Sequence, residues 1–273
     1  MTSSIVANVS LLYAGLPVLE RFQAAAAAGF DLVESWWPFD TASPSNEEVD
    51  ALLRAIDEAG VRLVALNLYG GDMSAGERGV LSHPGREVDL QRSLLATARI
   101  AQRTGCSHFN ALYGLRIRGV SDDAALDVAM TNLSRAAAAL DGGTLLLEPL
   151  SRAANAGYPL ESLADAERVR VRAAAHGIDS IGLLFDSFHL ASNGLDLEKE
   201  IRAHAAHIAH VQLADNPGRG APGTGDIDFS AVLRTLSEIG YSGRIAAEYA
   251  PAAQTVSARA LEAALGLERE VAE

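Results

Sequence analysis

Residues 144–189 read TLLLEPLSRAANAGYPLESLADAERVRVRAAAHGIDSIGLLFDSFH. The stretch begins with a short apolar run that ends on Glu148, continues through an Ala- and Arg-rich segment that stops at Gly177, and closes with a second apolar run that ends on Asp186. Short apolar runs bounded by turn residues are typical of buried strands, and a strand–helix–strand unit of about 30 residues or more is a βαβ motif. The stretch therefore predicts two parallel strands joined by a helix.

The same unit recurs along the whole chain. Short apolar runs occupy residues 5–7, 32–33, 63–66, 108–109, 144–147, 181–185, 208–211 and 245–247. Helix-starting residues and terminating glycines alternate with these runs: Ser45–Glu48 is predicted to begin a helix that stops at Gly60, and another helix is predicted from about Ser162 to His176. The pattern predicts an α/β protein with a (β/α)8 TIM barrel, a fold that typically needs about 250 residues, as a single domain over residues 1–273. A doubly wound sheet is disfavoured because Asn8 leads into VSLLY rather than into a Gly-rich turn.

Composition excludes several classes of protein. Lys plus Arg total 22 and Asp plus Glu total 35, giving a net charge of −13. Binding to nucleic acid through phosphates needs a basic surface, so we expect no nucleic-acid partner. No window reaches the roughly 20 apolar residues of a membrane span, and the first residues, MTSSIV, do not resemble a signal peptide. We therefore expect a cytoplasmic protein with no membrane contact. The single cysteine, Cys106, excludes an internal disulfide and a Cys-cluster zinc site.

Each predicted strand ends on a polar side chain, and in a TIM barrel these ends form the catalytic rim. The eight residues are Asn8, Glu34, Asn67, Asn110, Glu148, Asp186, Gln212 and Glu248. Three carboxylates on strands five, six and eight would repel one another unless a cation neutralised them or they titrated during catalysis. Gln212, on strand seven, adds a neutral oxygen. An all-oxygen set of Glu148, Asp186, Gln212 and Glu248 predicts a divalent metal site that favours Mg²⁺ or Mn²⁺ over Zn²⁺.

Other polar residues of the rim are candidates for contacts with a substrate. His189 follows Asp186 by three residues, and Arg219 lies in the Gly-rich loop 218–223 after strand seven. A neutral imidazole can bind a substrate hydroxyl, and an arginine can bind a carboxylate. The expected substrate-binding residues are His189, Arg219, Asn67 and Asn110. The histidines at 204, 207 and 210 run from a helix end into strand seven, and we interpret them as structural residues away from the rim.

Several motifs carry a resemblance to a known family. They are ANVSLL at residues 7–12, AGERG at 75–79, LEP at 147–149, HVQLADNPGRGAPGTG at 210–225 and EY at 248–249. With these motifs the chain resembles, nearly from end to end, the hydroxypyruvate isomerases among the xylose isomerase-like barrels.

The resemblance implies both a reaction and a set of roles. The metal ligands of the family fall on Glu148, Asp186, Gln212 and Glu248, and its two proton-transfer carboxylates fall on Glu148 and Glu248. The implied activity is a metal-assisted aldose–ketose isomerase that interconverts hydroxypyruvate and tartronate semialdehyde. A small hydroxy-keto acid or keto sugar is the expected partner of the site.

Departures from the family pattern keep a second substrate open. Ala250 follows Glu-Tyr where the family usually has Lys, and Gly114-Leu115 stands where Gly-Lys is common. The arginines that could supply the missing positive charge are Arg78, Arg116, Arg152 and Arg219. The alternatives are an isomerase or 3-epimerase of a longer keto sugar or 2-oxo-tetronate, or a dehydratase on the same barrel. A zinc nuclease is disfavoured by the scarcity of histidine on the rim, and a non-catalytic sugar-binding barrel by the intact Glu pair. The apolar segment Trp36–Phe39 either covers the pocket or contacts a second subunit of a homo-oligomer.

Overall fold

The computed structural model describes residues 5–251 and 257–267. Within these ranges eight parallel strands form a closed barrel in chain order, which confirms the predicted fold. The strands are β1 (Val6–Asn8), β2 (Leu32–Ser35), β3 (Arg62–Asn67), β4 (His108–Asn110), β5 (Thr144–Leu147), β6 (Ile181–Asp186), β7 (Ile208–Leu213) and β8 (Arg244–Ala247). The expectation for the N-terminal segment falls partly on residues 1–4, which lie outside the described residues.

Helices alternate with the strands and surround the barrel. They are α1 (Val9–Leu12), α2 (Arg21–Ala27), α3 (Asn46–Ala59), α4 (Glu87–Thr104), α5 (Asp122–Ala139), α6 (Leu163–Ala174), α7 (Ser187–Ser192), α8 (Leu197–Ala203), α9 (Phe229–Glu238) and α10 (Ala258–Ala264), with a 3-10 turn at Val18–Glu20. None of these helices is long and apolar enough to cross a membrane.

Local sequence signals explain where the helices begin and end. Ser45 and Ser162 each form a capping box, in which the serine side chain and an acidic residue three positions later satisfy each other's backbone N–H groups. Gly60 ends α3 in the left-handed conformation at φ 68°, a region that a residue without Cβ enters at little cost. These boundaries agree with those predicted from the sequence.

The strand register decides which side chains meet inside the barrel. Asp186 on β6 lies opposite Gln212 on β7. His210 and Gln212 are two residues apart on β7, so their side chains point to the same face of the sheet. Both are buried. The barrel thus places polar groups in its interior directly below the C-terminal rim.

The loop after β7 is held by one buried carboxylate. Asp215 accepts hydrogen bonds from the backbone N–H groups of Asn216 (2.9 Å), Gly223 (2.8 Å) and Ile227 (3.1 Å). The peptide bond between Asn216 and Pro217 is cis. Since both ends of the loop bind the same carboxylate, the segment that carries Arg219 has a defined path over the rim.

Candidate active site

The four predicted metal ligands lie at one end of the barrel. Glu148 directly follows β5, Asp186 ends β6, Gln212 lies near the end of β7 and Glu248 directly follows β8. Their exposed fractions are 5 %, 1 %, 3 % and 2 %. Four neighbouring strands therefore bring these side chains into one enclosed region at the rim.

Glu148, Asp186 and His189 form a compact cluster. One ligand atom from each lies within 4.8 Å of the others, so the three could hold a metal ion. Nε2 of His189 lies 3.8 Å from Oε1 of Glu148 and 3.9 Å from Oδ2 of Asp186. The backbone N–H of His189 donates to Oδ1 of Asp186 at 2.9 Å, and Oδ2 of Asp186 has no hydrogen-bond partner among the described residues.

A backbone contact determines which ring nitrogen of His189 carries hydrogen. The N–H of Ser151 donates to Nδ1 of His189 at 3.0 Å, so Nδ1 is an acceptor and the hydrogen of the neutral ring lies on Nε2. Burial lowers the pKa of His189 to about 4, with the nearby Asp186 carboxylate opposing the shift. The imidazole is therefore neutral near pH 7 and presents an N–H toward the cluster. This arrangement suits a hydrogen bond to a ligand oxygen better than direct metal coordination.

The side-chain amide of Gln212 is oriented by Glu34. The Glu34 carboxylate accepts hydrogen bonds from Nε2 of Gln212 at 2.7 Å, from Nε2 of His210 at 2.6 Å and from Nδ2 of Asn8 at 2.8 Å. The first of these bonds turns the NH₂ group of Gln212 toward Glu34 and its oxygen away from that carboxylate. Oε1 of Gln212 is consequently buried without a partner among the described residues.

Glu248 is held by three donors. Nδ2 of Asn8 and Nε1 of Trp36 donate to its Oε1 at 2.9 and 2.7 Å, and Nη2 of Arg219 donates to its Oε2 at 2.7 Å. The same Nη2 atom lies 3.6 Å from Oδ2 of Asp186. The guanidinium of Arg219 also lies 5.3 Å from the ring centroid of Phe188. Arg219 thus reaches the carboxylate cluster, and its predicted contact with a substrate stays a prediction.

The two glutamates are unusually basic for carboxyl groups. Burial and the neighbouring Asp186 carboxylate raise the pKa of Glu148 to about 8, against a smaller opposing effect of the Asn110 hydrogen bond. Burial also raises the pKa of Glu248 well above its usual range, although Arg219 opposes the shift. Carboxyl groups that exchange protons near neutral pH are suited to general acid–base catalysis.

A divalent cation fits the donors that this site offers. The unpartnered Asp186 Oδ2 and Gln212 Oε1 are buried oxygen atoms, which normally have a partner. With the carboxylates of Glu148 and Glu248 they would complete the predicted all-oxygen set, of the kind preferred by Mg²⁺ and Mn²⁺, although the compact group in the structure is Glu148, Asp186 and His189. A cation would also neutralise the like charges that raise the pKa of Glu148.

A cavity of about 210 Å³ opens over these groups. Its lining comprises Trp36, Asn67, Met73, Arg78, Leu112, Glu148, Leu150, Ala154, Asn155, His189, Arg219 and Glu248. Asn67, predicted to bind substrate, is in its wall. Asn110 is not; its Nδ2 instead donates to Oε2 of Glu148 at 2.6 Å and so fixes that carboxyl group.

A second cavity of about 220 Å³ adjoins the first. Both cavities are lined by Trp36, Asn67, Met73 and Leu112. The aromatic segment after β2 forms part of the second wall, with Trp37 packed edge-on against Phe39 at 5.2 Å between ring centroids. The sequence leaves two placements for Trp36–Phe39, over the pocket or against a second subunit. In the structure of the single chain, this segment lies beside the pocket.

Sequence reasoning missed the supporting role of Glu34 and His210. From the sequence, Glu34 is predicted only to end a strand, and His210 is predicted to lie with His204 and His207 away from the rim. His210 instead points into the barrel and donates to Glu34. Its separation of two residues from Gln212 was the available signal, since alternation along a strand places the two side chains on one face.

Comparison with known proteins gives close matches over nearly the whole chain. A provisionally named hydroxypyruvate isomerase of Streptomyces coelicolor is 45% identical over 249 residues, 89% of each chain. The hydroxypyruvate isomerase of Escherichia coli is 30% identical, with 91% of this chain and 94% of the relative covered. A 2-oxo-tetronate isomerase of Haemophilus influenzae is 31% identical, with coverage of 92% and 95%.

Solved structures and a family model point to the same fold. A crystal structure described as an AP endonuclease, family 2, from Brucella melitensis aligns with a TM-score of 0.81 at 27% identity, covering 98% of this chain and 100% of that chain. The model of the xylose isomerase-like TIM barrel family matches residues 22–266. Together with the relatives above, this match shows that the chain belongs to the hydroxypyruvate isomerase family of xylose isomerase-like TIM barrels.

Proposed function

We propose that the protein is a metal-assisted aldose–ketose isomerase that interconverts hydroxypyruvate and tartronate semialdehyde. The observation that carries this proposal is the pair of buried glutamates, Glu148 and Glu248, which line one cavity beside unpartnered oxygen atoms of Asp186 and Gln212. The hydroxypyruvate isomerase of Escherichia coli, at 30% identity over most of both chains, supports the choice of substrate.

The reaction moves a carbonyl group by one carbon. A base removes a proton from C3 of hydroxypyruvate, which gives an enediolate, and an acid returns a proton to C2, while the hydroxyl proton moves between the two oxygens. Glu148 and Glu248 are proposed as the base and the acid of these steps, a contribution of about 10²–10⁴-fold in rate. The pKa of Glu148, raised to about 8, lies near the pH at which such a shuttle works, and burial shifts the pKa of Glu248 in the same direction.

The remaining polar groups position the substrate and the glutamates. His189 presents its Nε2–H toward the cluster and would donate to a substrate oxygen. Arg219 holds Glu248 and reaches the same space. Asn67 contributes to the wall that faces the substrate, and Asn110 orients Glu148 from behind. Asn110 thus supports substrate binding through Glu148.

A divalent ion is proposed as the cofactor, held by Glu148, Asp186, Gln212 and Glu248. When bound, Mg²⁺ or Mn²⁺ would stabilise negative charge on the substrate oxygens as it develops. The orientation of Gln212 supports this assignment, because its NH₂ group donates to Glu34 and its oxygen remains available to a metal ion. A bound cation would also offset the repulsion among the three buried carboxylates, which Arg219 offsets only in part.

A second candidate substrate is 2-oxo-tetronate or a longer keto sugar, acted on by isomerisation or 3-epimerisation at the same site. The adjoining cavity of about 220 Å³ favours it, since a chain extended beyond three carbons has space to enter. A relative named 2-oxo-tetronate isomerase is 31% identical. Both candidates use the same glutamates.

The test is NMR in D₂O with Mg²⁺ or Mn²⁺ and a panel of hydroxypyruvate, 2-oxo-tetronate and neutral ketoses. The proposal expects deuterium at C3 of hydroxypyruvate and formation of the semialdehyde, and loss of both in Glu148→Gln and Glu248→Gln. Turnover of 2-oxo-tetronate alone would transfer the assignment to the second candidate. Absence of exchange with every compound would refute the isomerase.

A further inference from the structure

Hydroxypyruvate and 2-oxo-tetronate share a carboxylate, and a neutral ketose lacks one. If the proposed function holds, the site must hold that carboxylate when the substrate binds. Arg219 is already engaged, since its Nη2 atom binds Glu248 and lies near Asp186. The cavity over the glutamates is lined by a second cation, Arg78, which belongs to the loop between β3 and α4.

Arg78 is fixed in place without a carboxylate partner. Nε donates to Oδ1 of Asn155 at 2.9 Å, and Nη1 donates to the backbone carbonyls of Met73 at 3.0 Å and Glu77 at 2.7 Å. These contacts use three of the five N–H groups of a guanidinium. The two hydrogens on Nη2 have no partner among the described residues, and Arg78 forms no ion pair with them either.

The backbone next to Arg78 is also constrained. Gly79 adopts φ 106°, its N–H donates to the carbonyl of Gly70 at 2.7 Å, and it bridges to Tyr113. A Cβ at position 79 would lie 2.1 Å from the carbonyl oxygen of Leu112. The loop therefore packs closely against the segment after β4, and the guanidinium approaches the cavity already oriented, which lowers the entropic cost of binding an anion.

Two arginines in the loops after β4 and β5, Arg116 and Arg152, are already paired with carboxylates. Arg116 forms an ion pair with Asp122 at 3.1 Å, and Arg152 binds Glu161 through Nε at 2.8 Å. Neither lines the cavity over the glutamates. Arg78, by contrast, lines the acidic cavity, and the two N–H groups of its Nη2 remain unused in the described part of the chain. It is therefore suited to bind an anionic group of a ligand.

We infer that Arg78 binds the substrate carboxylate and thereby makes the enzyme specific for α-keto acids over neutral ketoses. This inference rests on the proposed function. It separates two tasks: Glu148 and Glu248 act on the carbon that carries the exchanged proton, and Arg78 recognises the group at the other end of the molecule. Arg78 is thus a specificity-determining residue for the isomerase reaction.

The test compares hydroxypyruvate with dihydroxyacetone, in which a hydroxymethyl group replaces the carboxylate and the reacting carbons are the same. Deuterium incorporation gives kcat and KM for the wild type, Arg78→Met, Arg78→Lys and the surface control Arg116→Met. For Arg78→Met we expect KM for hydroxypyruvate to rise by about 10- to 100-fold with a much smaller change in kcat. Arg78→Lys should recover part of this loss. Values for dihydroxyacetone, and all values for Arg116→Met, should stay near those of the wild type.

The outcomes separate this inference from the proposed function. If the wild type isomerises hydroxypyruvate and Arg78→Met keeps its KM, the inference is wrong and the proposed function stands. A loss of kcat that is equal for both substrates would assign Arg78 a purely structural role in its loop and would also overturn the inference. A wild type that acts on dihydroxyacetone and neither isomerises nor binds hydroxypyruvate would overturn both.

Discussion

Glu34 shows how one residue below the rim can determine what the rim presents. Its carboxylate accepts from Asn8, His210 and Gln212, and Asn8 continues the chain of contacts to Glu248. Because the NH₂ group of Gln212 donates to this carboxylate, the amide oxygen points away and has no hydrogen-bond partner among the described residues. A residue that is not itself one of the proposed ligands would therefore influence the affinity of the proposed metal site.

The first prediction concerns this contact. Glu34→Gln preserves the size of the side chain and introduces an NH₂ group, so that Gln212 can turn its amide and direct NH₂ toward the site. We expect the affinity for Mn²⁺ to fall by about 10- to 100-fold, the usual effect of altering a residue that orients a metal ligand. Calorimetric titration measures it. Glu47→Gln, an exposed substitution of the same kind on α3, is the control, and equal affinities in both variants would count against the role of Glu34.

The second prediction concerns the proton on Glu148. Its pKa is about 8 in the folded chain and 4.5 when unperturbed, so between these values the folded state holds a proton that the unfolded state has lost. The free energy of unfolding of the metal-free protein should therefore fall as pH rises through this window, by about 1.4 kcal/mol per pH unit for each such proton. Glu248 contributes in the same direction.

Urea unfolding with a chelator present, at about pH 5.5 and about pH 7.5, measures this slope. In Glu148→Gln the slope should be smaller than in the wild type and in Glu47→Gln. Metal binding near pH 7 should also release protons, because a ligating carboxyl must be ionised. A slope that is the same in all three proteins would show that the Glu148 proton is not linked to folding.

The contact between β6 and β7 requires a glycine on β6. Gly182 on β6 is buried, and a Cβ built there would lie 2.4 Å from Cβ of Ala209 and 3.2 Å from Cγ2 of Thr144. Glycine lets β6 carry Asp186 to its position opposite Gln212. The spacing of the strands and the geometry of the site are thus determined by the same pair of elements.

The third prediction tests this packing. Gly182→Ala should destabilise the protein by about 1–3 kcal/mol, as overpacking in a close-packed interior does. The matched control is Gly15→Ala, where a new Cβ has no neighbour within 4 Å. Denaturant unfolding of the two variants measures the difference. Equal stabilities would mean that β6 and β7 can separate at no cost.

The features of the whole barrel that could be predicted from the sequence are those that depend on local periodicity. Apolar runs that end on polar residues gave the strands, their order and the rim, and Ser45 and Gly60 marked the ends of a helix. The contacts of Glu34 with Gln212 and His210 could not be predicted, since they cross the barrel and depend on closure and register. Similarly, the sequence left Arg78 as one arginine among several, because only the structure shows which arginines have ion-pair partners.

Oxygen atoms from four successive strand ends are proposed to bind one divalent ion, and the isomerase reaction depends on that site. Titration of the metal-free protein with Mn²⁺, with free Mn²⁺ followed by electron paramagnetic resonance, measures this binding. We expect one ion per chain in the wild type and a large loss of affinity in Asp186→Asn and Gln212→Leu, with Glu47→Gln unchanged. Absence of Mn²⁺ binding, or binding that survives both ligand substitutions, would refute this metal site.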